Sequence, residues 1–220
     1  HTLSATLQLG DDDPDNDQLV AEVDVLLEPP GVSLSRWTGT ARTDAWTQVD
    51  LPHDYGADMV PICTPLYDVD GLGPLVARVR NAQGASFEVG LGRPWFGAFP
   101  GEETSAEVHC MVVRQGVYDQ AGFKLEAVRL DGFSGKDDAF SWIGTARSYA
   151  QSYTRPVVLG QVVSAGAGLP GELGAWSIFW ARGPTALDPP SATALFVGRH
   201  TAEDPNPRPP ETLVYVVIEA

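Results

Sequence analysis

The chain reads as all-β: two tandem antiparallel β-sandwich units preceded by a partial unit. Three observations carry that expectation. Most apolar runs are short, rich in Val, Leu, Ile and aromatic residues, and bounded by Gly, Pro, Asp and Asn, which is how strands and their turns are written. Eighteen prolines and 23 glycines in 220 residues leave little room for a long helix, and few segments carry a 3.6-residue apolar period. The chain also repeats itself. Ala21-Glu22-Val23-Asp24-Val25-Leu26-Leu27-Glu28 returns as Ala106-Glu107-Val108-His109-Cys110-Met111-Val112-Val113, and more loosely as Glu211 to Glu219. An acidic residue opening an apolar run, at intervals of roughly 85 to 105 residues, marks one supersecondary unit used more than once.

Residues 1–45 form the partial unit. Ala5 to Leu9, the acidic loop Asp11 to Asp17, and Ala21 to Glu28 match only the closing half of a unit, so their strand edges need a partner, within the chain or in a neighbouring molecule. Residues 46–130 form the first unit. Trp46 to Leu51 leads through Tyr55 to Val60-Pro61-Ile62-Cys63. Val76-Ala77-Arg78-Val79-Arg80 then alternates with period two, stops at Asn81-Ala82-Gln83-Gly84 and resumes as Phe87-Glu88-Val89-Gly90-Leu91, a β-hairpin. Residues 131–220 follow the same order. Trp142 leads through Tyr149 and Tyr153 to Pro156-Val157-Val158-Leu159, a Gly-rich connection at Ala165 to Gly168, and the aromatic run Trp176 to Trp180. Gly39-Thr40-Ala41-Arg42 and Gly144-Thr145-Ala146-Arg147 are identical but sit at different offsets from the tryptophans. Strand order outweighs those four residues, which chance or an insertion would explain.

Fourteen Lys and Arg against 29 Asp and Glu give a formal net charge of -15, which repels phosphate backbones and anionic lipid and argues against nucleic acid as a partner. The two cysteines, Cys63 and Cys110, both lie in strand-like runs. They would either form one bridge within the first unit, fitting an oxidising compartment, or remain buried thiols. No run approaches the ~18 apolar residues of a membrane span. A chain opening at His1 fits removal of a leader or a trimmed terminus, so a secreted or cell-surface location is the expectation.

Val76 to Ala82 with Phe87-Glu88-Val89, and Val108 to Val113 with Gly116-Val117-Tyr118, resemble H-type-lectin-like β-sandwich repeats of secreted bacterial carbohydrate-active and surface proteins. The second unit resembles them through Arg155 to Leu159, Ser177-Ile178-Phe179-Trp180, Val197-Gly198-Arg199-His200, and Glu211, Tyr215 and Glu219. The resemblance covers about residues 46 to 220 and rests on strand-packing residues. It implies small antiparallel sandwiches, often non-catalytic and sometimes binding sugar through loops at a sheet edge.

The expected function is therefore a non-catalytic glycan-binding or adhesion module. Trp95, Phe96 and Phe99 lie in a Gly/Pro-rich loop, where exposed rings stack on the C–H faces of a polysaccharide or other glycan. His200, Glu203 and Asp204 gather an imidazole and two carboxylates on one loop, a second set of ligand contacts. Asp11, Asp13 and Asp15 make an oxygen-rich loop of the kind that takes Ca2+, although the glycine and terminal glutamate of an EF-hand are missing. Two alternatives stand beside this reading. One is a structural subunit that self-associates through its N-terminal strands. The other is copper chemistry: the terminal amine and imidazole of His1, with His53, His109 or His200, would make the brace of lytic polysaccharide monooxygenases. No nucleophile elbow, phosphate-cradling glycine loop or HExxH helix is present.

Overall fold

The computed structural model describes residues 34–66, 75–92, 104–120, 122–165, 176–202, 204 and 206–219, together with the strand backbone of 3–7 and 19–23. Its described elements are fifteen strands. β1 (Leu3–Leu7) and β2 (Leu19–Val23) pair with each other as a two-stranded antiparallel sheet, Leu3 opposite Val23 and Leu7 opposite Leu19. The repeated segment at Ala21 to Glu28 thus contributes its first three residues to β2.

The next six strands are β3 (Leu34–Arg42), β4 (Thr47–Asp50), β5 (Met59–Leu66), β6 (Val76–Gln83), β7 (Ser86–Gly92) and β8 (Ser105–Arg114). They form two three-stranded antiparallel sheets, ordered β3-β8-β5 and β4-β7-β6. After β9 (Gly116–Gln120), the chain continues through β10 (Phe123–Phe133), β11 (Thr145–Arg147), β12 (Val157–Val162), β13 (Ile178–Arg182), β14 (Leu195–His200) and β15 (Glu211–Glu219). Their sheets are ordered β12-β15-β10-β9 and β11-β14-β13. Position for position, β10 to β15 repeat the connectivity of β3 to β8, and β9 adds one strand to the larger sheet. The repeated acidic-then-apolar segments at 106–113 and 211–219 are the central strands β8 and β15 of these two sheets.

Alternation sets the faces. Along β8, Ala106, Val108, Cys110 and Val112 are buried while Ser105, Glu107 and His109 are exposed. β15 differs: Leu213 to Val217 are all buried. Its Val214 and Val216 join the core that holds Val49, Val60, Val79, Phe87 and Val108, whereas Tyr215 and Val217 join Leu195 and Val197 on the opposite face. A strand buried on both faces reads as a continuous apolar run, which is how Leu213 to Ile218 reads. The sheet of β15 is thereby shared between two cores. β3 and β4, on either side of residue 45, lie in the two sheets of one core, and β10 runs through residue 130.

The expected hairpin forms with its turn two residues later than the sequence suggests. Gln83 pairs with Ser86, so the loop is Gly84-Ala85, and a bulge at Asn81-Ala82 absorbs the difference. Gly84 has φ 63° and, of the two loop residues, it alone is positive, as a type II′ turn requires.

β5 is an edge strand carrying two prolines, and its residues 61, 63 and 65 present their backbone nitrogens outward. Pro61 and Pro65 have no N–H to expose. The Cys63 N–H is taken by Gln161 Oε1 at 3.4 Å, and Gln161 Nε2 donates to the Ala77 carbonyl at 2.8 Å, so one side chain from β12 bridges β5 and β6. Cys63 lies directly opposite Cys110 with Cα atoms 4.1 Å apart, and the two form a disulfide. That spacing belongs to a non-hydrogen-bonded cross-strand pair, the position where two cysteines on neighbouring strands can meet.

Charged groups also cross between the cores. Arg78 on β6 is 1% exposed and donates to the Ser177 carbonyl; Ser177 Oγ donates to Glu211, which also pairs with the fully buried Arg199. Burial lowers the pKa of Arg78 to about 10, against the opposing pull of the Glu211 carboxylate. Arg129 on β10 donates to the Met59 carbonyl at 3.1 Å.

Candidate functional site

The groove begins with a dipeptide. In β10, Leu130 pairs with Leu213 and Phe133 with Glu211, so Asp131 and Gly132 together oppose the single residue Thr212. This is a β-bulge, and Gly132 occupies its left-handed position with φ 67°. An open groove of about 280 Å³ lies at this bulge. Its lining runs from Leu130 through the bulge to Gly135 and includes Thr145 and Arg147 of β11.

Each polar group there is held differently. Asp131 Oδ1 accepts from Arg129 Nε at 3.0 Å and from Thr212 Oγ1 at 2.9 Å, so its charge is offset and its position fixed. The Phe133 ring lies over Gly135, where a Cβ would sit 2.8 Å from the ring. Arg147 makes no hydrogen bond or ion pair with another side chain among the described residues, and its Nε is buried without a partner. β11 is the edge of its sheet, Thr145 pairing with Val197 and Arg147 with Leu195. The groove can therefore offer a polyol a carboxylate, a guanidinium and two hydroxyls, all on or next to strands, with the Phe133 ring, 8% exposed, packed into the core behind them.

The loop leading into β11 carries a second feature. Trp142 stacks on His200, with centroids 4.2 Å apart and planes 23° from parallel, and meets Trp180 edge-on at 5.5 Å. Trp180 in turn covers Gly198, where a Cβ would come within 2.5 Å of the indole. Asp137, buried, accepts from Ser141 Oγ at 3.0 Å and from the Ile143 N–H at 2.8 Å. Arg182 donates to the carbonyls of Trp142 and Ile143, both at 2.9 Å. The loop is pinned from both ends, yet its apolar side chains point outward: Phe140 is 98% exposed, Ile143 73% and Trp142 41%.

His200 is buried beneath Trp142 rather than open to ligand. Its Nδ1 accepts the Ala202 N–H at 2.9 Å, so the neutral ring carries its hydrogen on Nε2, which is buried without a partner. Asp204 closes a turn, accepting from the Asn206 N–H at 3.0 Å, Asn206 Nδ2 at 2.7 Å and Arg208; these bonds hold its carboxyl below the ordinary range. Glu203, Trp95, Phe96, Phe99, His1, Asp11, Asp13 and Asp15 lie outside the described residues. His109 is half exposed and bonds Glu107 at 2.7 Å. No three His, Cys, Asp or Glu side chains gather as a metal site among the described residues.

Sequence reasoning passed over Asp131, Thr145, Arg147 and Phe140, and used Trp142 only as an alignment marker. Two signals were available: the Asp131-Gly132 dipeptide inside a strand pattern, which marks a bulge, and the repeated Gly-Thr-Ala-Arg segment. No family model, curated protein or solved structure matches the chain.

Proposed function

We propose that this chain is a non-catalytic glycan-binding module, secreted or displayed at a surface, that holds a sugar in the groove between the β10 bulge and β11. The observation carrying the reading is the groove's lining: a small open cleft with Asp131 at the β10 bulge, Ser134 just after β10, and Thr145 and Arg147 on β11. Sugars are bound by fixed hydrogen-bonding groups around their hydroxyls and an aromatic surface under their C–H faces. Phe140 and Trp142, on the loop entering β11, extend an apolar surface beyond the groove for further sugar units. The Cys63–Cys110 disulfide supports an oxidising compartment. The resemblance to H-type-lectin-like repeats points the same way, since it implied sugar binding at a sheet edge, and β11 is one.

The test is a polysaccharide pull-down and glycan array with the wild-type chain, Thr145→Trp and Leu187→Ala. Leu187 is 96% exposed and lines no part of the groove. Binding by the wild type and Leu187→Ala, with loss in Thr145→Trp, is the expected result. A wild-type chain that retains no glycan would sink the reading.

A further inference from the structure

The groove's electrostatics narrow its ligand, on the footing that it is a glycan site. In a chain with 14 basic and 29 acidic residues, a basic group has an excess of carboxylates to pair with. Six of the eleven described arginines do so: Arg42 with Asp44, Arg80 with Glu88, Arg114 with Asp58, Arg129 with Asp131, Arg199 with Glu211 and Arg208 with Asp204. Arg147 does not, and unlike Arg78 and Arg182, which reach backbone carbonyls, its side chain makes no hydrogen bond among the described residues while lying half-buried in the groove lining.

The same tetrapeptide occurs on two non-equivalent strands, β3 and β11, with different surroundings. Gly39-Thr40-Ala41-Arg42 is followed by Thr43 and Asp44, and Arg42 grips Asp44 through Nε at 2.8 Å and Nη2 at 2.9 Å. Gly144-Thr145-Ala146-Arg147 is followed by Ser148 and Tyr149, and the fork has no carboxylate to grip. The nearest acid lining the groove, Asp131, already spends its charge on Arg129. Asp131 and Arg147 are the charged residues of the lining; Asp131 is paired with Arg129, which lies outside it, and Arg147 is left without a carboxylate partner among the described residues, in a molecule of net charge -15.

We propose that the groove takes a glycan bearing a single isolated carboxylate, a terminal uronic acid, with Arg147 pairing that carboxylate through its planar fork. A guanidinium matches a carboxylate with two parallel hydrogen bonds, which a neutral hydroxymethyl group cannot accept in the same way. A polyuronate is a poor ligand, because the charge of the whole chain repels it while Arg147 can compensate only one residue.

The experiment titrates the full chain with matched oligosaccharides ending in glucuronate or glucose, and in galacturonate or galactose. Each pair differs only in carboxylate against hydroxymethyl. The acid form is expected to bind at least about tenfold more tightly, in line with a charge-assisted bidentate pair. Arg147→Ala erases that difference, Arg147→Lys keeps part of it, and raising the salt concentration reduces it. Circular dichroism confirms that both variants fold. Equal affinity for acid and neutral forms, or an acid preference that survives in Arg147→Ala, overturns this inference and leaves the glycan reading standing. Binding of neither form in either pair, with an array equally silent, removes both.

Discussion

Glu126 is 4% exposed and forms no ion pair among the described residues; its carboxylate accepts the Ala150 N–H at 2.8 Å. Burial raises its pKa, against the lowering effect of the backbone hydrogen bonds. The unfolded group ionises near the ordinary carboxylate value of ~4.3. Between that value and the raised folded one, the native state holds more protons than the unfolded state, so stability falls as pH rises through this window. Glu126→Gln keeps an acceptor for Ala150 and cannot ionise. It is expected to match the wild type at pH 4 and to exceed it at pH 7 by about 1 kcal/mol per unit of raised pKa. Thermal unfolding at the two pH values checks this; a wild-type pH profile in the variant would remove Glu126 as the source. Such a residue is hard to see in a sequence, because Lys124-Leu125-Glu126-Ala127 reads as ordinary alternation with the glutamate outward. Its carboxylate meets the Ala150 loop, 24 residues away in the chain, which no local pattern shows. His200 misleads in the same manner: its neighbours Glu203 and Asp204 suggest a ligand set, whereas the indole lying over it is 58 residues away in the chain.

At the scale of the strand, the sequence was far more legible. The period-two run of β6, the prolines of β5 and the closing strands β8 and β15 appear where expected, whereas Pro156 lies just before β12 and the aromatic run becomes a strand only from Ile178. The Asp131-Gly132 bulge was not placed and the β6–β7 turn was placed two residues early, since a register shift depends on which residue of the partner strand stands opposite. The disulfide sits between these cases: strand membership of Cys63 and Cys110 was readable, their opposition was not. With the two cysteines 47 residues apart, closing that loop stabilises the fold by about 4 kcal/mol on the chain-entropy model. Cys63→Ala with Cys110→Ala is therefore expected to lower the free energy of unfolding by about 2–5 kcal/mol. Denaturant titration of the double variant, against wild type with and without reductant, measures it. Identical midpoints in all three would mean that the two thiols are not joined.

The largest unit of organisation is the pair of cores and what binds them. β15 gives Val214 and Val216 to one core and Tyr215 and Val217 to the other, so neither can lose the strand without exposing the second. Gln161 adds a polar link, accepting from Cys63 on one side and donating to the Ala77 carbonyl on the other. Ala165 N–H reaches the Val79 carbonyl at 3.1 Å a few residues further on. An apolar strand and a satisfied amide together predict one cooperative unfolding transition for residues 34–219, since local opening of either core strips partners from the other. Gln161→Met keeps the volume but strands the Cys63 N–H and the Ala77 carbonyl. Each orphaned buried group costs about 1–3 kcal/mol, and for a chain of this length each kcal/mol lowers Tm by about 2–4 °C. Calorimetry is expected to show a single wild-type transition and a lower Tm in Gln161→Met. Two wild-type transitions would show that the cores fold independently despite sharing β15. An unchanged Tm in the variant would assign the coupling to the apolar faces of β15 alone.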